Sequence, residues 1–178
     1  MESMTTKPWQ IVALATLCFI QAAHVLNVVV TDLLVRANPQ SAADWADQGT
    51  RIVQSHLVDD QGTNLNAVYQ YLANSQYVYT IMMVVIFMFG FLLYRGEYLP
   101  AVRITGTIFF LVVLVGEVAA ALFYDDGTIV DVYNDGTLLE TSLVSLLSTG
   151  FDALLVVGFI SLFFGKSAQW VKSHTDSS

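Results

Sequence analysis

Three ionisable side chains stand inside otherwise apolar runs of this chain: His24 in "FIQAAHVLNVVV", Glu117 in "LVVLVGEVAAALFY" and Asp152 in "STGFDALLVVGF". An imidazole and two carboxylates gathered at low dielectric are the groups of a proton or ion relay, and they are stereochemically possible metal ligands. Polar neighbours recur at helical spacing, since Gln21, His24 and Asn27 step by three while Ser145, Ser148 and Asp152 step by three and four. Each set is expected to share one side of a helix. The bland alternative is that these groups only hydrogen-bond helices to one another. The medium around the runs decides which chemistry is open to them.

The chain has 178 residues, of which 55% are hydrophobic and 12% charged, with a net charge of -8. A soluble domain carries about 25% charged residues. The mean hydropathy is +0.60, and the charge deficit falls on four segments at 9–35, 77–94, 100–124 and 141–165. Each is close to the ~20 residues that cross a ~30 Å hydrocarbon layer. Lipid demands that backbone polar groups be satisfied within the segment, and no two-residue alternation is present, so helices are expected. The expected fold class is an all-α integral membrane four-helix bundle, one domain over 1–178, with outer loops at 36–76 and 125–140.

These spans place the three ionisable groups at one depth. Glu117 lies about 14 residues, or ~21 Å, beyond Arg103, Asp152 about 13 residues from the end of its span, and His24 about 15 residues beyond Trp9. The expectation is a polar layer of His24, Glu117 and Asp152 with Gln21, Asn27, Ser145 and Ser148 around it. Ala120 and Ala121 beside Glu117 would permit close helix approach.

Orientation follows Lys and Arg. Lys7, Arg95, Arg103, Lys166 and Lys172 fall on one side, and Arg36 and Arg51 on the other, which predicts both termini in the cytoplasm. Trp9, Tyr94, Tyr98 and Trp170 are expected at the inner interface, and Tyr77, Tyr79 and Tyr124 at the outer one. In the first outer loop, Ser41 can cap a short helix with Trp45, Ile52, Val53 and Leu57 as a broken apolar stripe. "DDQGTN" should break that helix, and "NLNAVYQYLANSQ" should continue as helix into the second span. The second loop, "DDGTIVDVYNDGTLLE", reads as a hairpin or turn-rich loop, and "KSHTDSS" as a short polar tail.

Several functions are disfavoured by what the residues lack. The single Cys18 leaves no internal disulfide, Cys-x-x-Cys pair or thiolate zinc site, and Leu17 before it does not suit a lipid-acceptor cysteine. The first apolar run is too long for a cleaved signal peptide. No basic stripe points to nucleic acid. Bis-His haem needs a second His in the membrane, whereas His56 and His174 fall outside the spans. "DDQGTN" and "YDDGT" do not follow a calcium-loop pattern and read as solvated turns. No catalytic motif, cofactor or metal site is expected. The expected partners are the lipid bilayer and other membrane proteins or a second copy.

Trp9 at the start of the first span, the link "LLYRGEYLPAV" with Pro100, and the ending "LFFGKSAQWVKSHT" with Phe163, Phe164, Ser167, Val171 and Lys172 resemble the YdgK-like family. That is a group of small bacterial inner-membrane proteins classed as a domain of unknown function. Lys7-Pro8 stands where paired glycines are usual, and the Ser to Val-Lys spacing is one residue longer. The resemblance implies the four-span fold and a bacterial inner membrane, and it brings no catalytic residues. The expected function is a small polytopic, non-enzymatic membrane component or accessory subunit. A small oligomeric transporter or proton-handling protein using His24, Glu117 and Asp152, and lipid or quinone binding in the bundle, stand as alternatives.

Overall fold

The structure, a computed structural model, describes residues 7–47, 58–59, 62–123 and 138–175, without the side chains of 58, 59, 62, 117, 119–123, 138–149 and 175. In chain order come α1 (Trp9–Arg36), α2 (Pro39–Asp47), β1 (Val58–Asp59), β2 (Gly62–Thr63), α3 (Leu65–Arg95), α4 (Leu99–Phe123), α5 (Leu138–Ser161) and α6 (Gly165–Thr175). The strands form a two-residue antiparallel ladder, Val58 opposite Thr63 and Asp59 opposite Gly62. Everything else regular among the described residues is helical.

Among the described residues, α1, α3 and Leu99–Gly116 of α4 are long and apolar enough to cross a membrane. A fourth crossing is counted if Gly150–Ser161 and Gly165–His174, bent by 63°, act as one span. Burial shows how much of these helices the protein itself covers. In their most apolar windows only 39%, 17% and 22% of residues are buried inside the protein, and Leu34, Val112 and Val157 are 67%, 65% and 63% exposed. A water-soluble fold hides such side chains, whereas lipid accepts them outward. Threonine chemistry agrees. Thr16, Thr31, Thr80, Thr105 and Thr107 each donate their hydroxyl to the carbonyl four residues back, at 2.6 to 2.9 Å, so their polar groups are satisfied within the helix. The chain is a candidate multi-pass membrane protein by helix length and hydropathy.

The chain divides into two compact units, Met1–Gln21 with Ile86–Ser178, and Ala22–Val85. In the first, α4 packs along α5. Its core holds Ile11, Leu14, Cys18, Leu93, Phe110, Leu155, Phe159 and Leu162, each at most 2% exposed. Phe89, Phe109, Phe110 and Phe159 stack there with ring centroids 5.1 to 6.2 Å apart. Gly106 lets α4 approach the Phe159 ring, because a Cβ at that position would lie 2.2 Å from Phe159 Cε1. Without that glycine the ring has nowhere to sit.

In the second unit, Ala42 and Ala46 of α2 pack on Val68 and Leu72 of α3, flanked by Val35, Trp45, Leu65 and Tyr69. Trp45 and Tyr71 lie 5.9 Å apart, and Thr63 donates to Asp47 at 2.8 Å. The 31 residues of α3 run unbroken, so "NLNAVYQYLANSQ" does continue into the span, with Asn64 Oδ1 capping the Ala67 N–H at 3.2 Å.

Three local expectations need correction. The loop helix starts at Pro39 with Asn38 as its cap, accepting from Gln40 N at 2.9 Å, rather than at Ser41. Proline's fixed φ suits the first helical position, and an Asn before it bonds the next free N–H. The helix α5 ends at Ser161, through tight turns in which Leu162, Phe163 and Phe164 donate to the carbonyls three residues back. Gly165, at φ 60°, then restarts the helix in a new direction. The tail is helical to Thr175, because Ser167, Trp170 and Val171, 3%, 3% and 1% exposed, form a packed face. Trp170 is thus a core residue rather than an interfacial anchor, while Trp9, Tyr94 and Tyr98 are 73%, 63% and 74% exposed. Ile52, Val53, Leu57 and the segment 124–137, with its expected hairpin, lie outside the described residues.

Gly106→Ala is expected to lower stability by about 1–3 kcal/mol through overpacking against Phe159. Gly116→Ala, where a Cβ meets nothing within 4 Å, should leave stability unchanged or raise it by up to about 1 kcal/mol. Thermal unfolding in detergent measures both.

Candidate functional site

Asp152 is the most enclosed carboxylate among the described side chains of the first unit, 2% exposed. It lies on α5 one turn before the buried Leu155 and Val156. Gln21, 7% exposed, reaches it from α1, its Nε2 donating to Asp152 Oδ1 at 3.0 Å. This is not the only interaction of Asp152. A buried carboxylate needs such donors, since leaving a buried acceptor unpaired costs about 1–3 kcal/mol. A neutral amide serves as donor whether or not the acid carries its proton.

A second polar cluster occupies the other unit, and it escaped the sequence reading. Asp32, 8% exposed, accepts from Ser75 Oγ at 3.1 Å, and Arg36 donates through Nη1 to Gln76 Oε1 at 2.7 Å. Two neighbouring polar contacts thus tie α1 to α3. The signal was available, because Asp32 and Arg36 stand four apart and such residues share a helix face.

The other candidates are distributed as follows. His24 and Asn27 are exposed, whereas Gln21 is buried. Each three-residue step turns a helix by about 300°, so the direction drifts by ~60° per step, and the series leaves the packed side. Glu117 lies on α4, and Ser145 and Ser148 on α5, with their side chains outside the described set. His24 belongs to the second unit, and Glu117 and Asp152 to the first. What the structure brings together from the expected layer is Gln21 with Asp152.

Among the described residues no group of three His, Cys, Asp or Glu could hold a metal ion. An open groove of about 280 Å³ is lined by Ala73, Gln76, Tyr77, Thr80 and Ile81, all on one face of α3. Neither Asp152 nor Asp32 lines it. Cys18 is 0% exposed, enclosed where α3 comes close at Gly90, so it is no accessible nucleophile.

Lys7 closes one end of the first unit. Its Nζ donates to the carbonyls of Leu93 and Tyr94 and lies 5.2 and 5.8 Å from the ring centroids of Tyr94 and Trp170. Burial there holds its ammonium below the usual lysine pKa range. Trp170 in turn stacks on His174 at 4.0 Å.

Compared with protein-family models, curated proteins and solved structures, the chain matches none.

Gln21→Leu is expected to cost about 1–3 kcal/mol by removing a donor from buried Asp152. Adding Asp152→Leu should recover much of that loss, since removing both partners is far less costly than removing one. A double-mutant cycle by thermal unfolding in detergent reads the coupling.

Proposed function

We propose that this chain is a non-enzymatic membrane component, an accessory subunit that works by packing against other membrane proteins. In this reading it crosses a bacterial inner membrane four times with both termini in the cytoplasm. The orientation rests on Lys7, Arg95, Arg103, Lys166 and Lys172 falling at one set of span ends. The bacterial inner membrane rests on the resemblance to the YdgK-like family.

One observation supports the packing role: Asp152 is buried on α5 and accepts from the Gln21 amide. A transport pathway needs its carboxylate to meet water or solute, and a packing contact needs only a satisfied partner. Asp32, held by Ser75, follows the same pattern. His24 and Asn27 add the means of association, because exposed polar groups on a spanning helix gain most from a neighbouring protein helix.

Asp152→Asn separates a packing role from proton handling. An isosteric amide keeps a hydrogen-bonding group in place, so the variant should fold and leave the proton permeability of reconstituted vesicles as it is in the natural protein. Loss in Asp152→Asn of a proton flux that the natural protein supports would overturn the proposal. Glu117→Gln is likewise expected to leave assembly intact. Purification in mild detergent should yield a stoichiometric protein partner, and His24→Leu with Asn27→Leu should reduce its yield.

A further inference from the structure

Within the second unit, α1 has one packed side and one open side. Val25, Val29 and Asp32 are 5%, 8% and 8% exposed, whereas Ala23, Asn27, Val30 and Leu34 are all exposed. At about 100° per residue these four fall within an arc of ~60°, nearly opposite the packed residues. Their spacing alternates four, three and four, which is the rhythm of a seam along which two helices wrap around each other. From Ala23 to Leu34 the seam runs for about three turns.

Hydrogen bonding singles out Asn27 on this seam. Elsewhere on α1 the hydroxyls of Thr16 and Thr31 are satisfied by carbonyls of their own helix, Gln21 by Asp152 and Asp32 by Ser75. Asn27 accepts from Thr31 through its backbone carbonyl alone, and its side-chain amide has no partner among the described residues. An amide facing hydrocarbon without a partner is costly.

We propose that this face of α1 is the contact between two copies of the chain, the Asn27 side chains of the two copies bonded to each other across a two-fold axis. Charge complementarity argues for this occupant. An amide carries N–H donors and a carbonyl acceptor side by side, so two amides related by a two-fold satisfy each other, which two carboxylates or two ammoniums cannot do. Every copy inserts in the same direction, so α1 meets α1 in parallel and each residue meets its counterpart at the same depth. The seam carries no Asp, Glu, Lys or Arg, so symmetry sets no like charges face to face. Ala23, one turn before Asn27, lets the backbones come close, and a single Asn in an otherwise apolar seam fixes the register of the pair. Acyl chains would cover the same face and leave the amide unpaired. The inference rests on the membrane reading and the packing role proposed above, and it names the partner as a second copy.

The test combines native mass spectrometry in mild detergent with oxidative cross-linking in phospholipid vesicles. The natural chain should appear as a dimer. Asn27→Leu should weaken it about fivefold, the effect of one interhelical hydrogen bond in a membrane, while Asn27→Gln keeps most of it. Ala23→Phe should abolish it by holding the backbones apart. Both positions are exposed, so folding tolerates the changes. Under copper phenanthroline, Ala23→Cys should link two copies, whereas Val84→Cys, 50% exposed on α3, and the natural chain with its buried Cys18 should not. A monomer in both readouts, a dimer that neither Asn27→Leu nor Ala23→Phe weakens, or equal linking through Val84→Cys overturns the contact. A monomer that retains a different protein in fixed ratio overturns the second copy as occupant and leaves the packing role standing. A chain that stays in solution without detergent overturns the membrane reading, and the contact with it.

Discussion

On the membrane reading, most of this structure follows from one deprivation, since hydrocarbon offers no hydrogen bonds. Backbone groups must pair within the segment, which makes the long runs helices. Side-chain polar groups meet the same demand in two ways. Threonine hydroxyls on α1, α3 and α4 fold back on their own helix, and the longer polar side chains reach across to another helix, as Gln21 does to Asp152 and Arg36 to Gln76. Apolar residues are freed from the core by the same medium. Leu34 and Val112 can face outward at no cost, and the interior is selected by shape instead, as where Gly106 receives Phe159.

That selection explains what could be read in advance. Helix positions were legible because hydropathy and charge mark the borders, and the unbroken α3 followed from the absence of a breaker between Leu65 and Arg95. Which face of each long helix packs was not legible, since both faces are apolar. Gln21 and His24 look alike as polar interruptions of α1, yet one is buried and the other exposed. In a helix of mixed composition, amphipathic spacing regains its meaning. The short α6 obeys it through Ser167, Trp170 and Val171, though its polar composition reads as a tail.

Gln21 and Asp152 both stood in the expected polar layer, and their bond was not legible because depth along a helix leaves open which side chains turn toward each other. Asp32 was passed over because it sits near the end of its span, where a carboxylate looks like a border residue. Its partner Ser75 lies on the part of α3 that precedes the strongly apolar run. A short hydroxyl there carries little signal until the antiparallel helices are laid side by side.

The sealed position of Cys18 has a practical corollary. A chain whose one sulfhydryl is walled off by packing is already a clean background for maleimide chemistry. Single cysteines introduced at either mouth would therefore report which side of the bilayer they occupy, with the natural residue left in place.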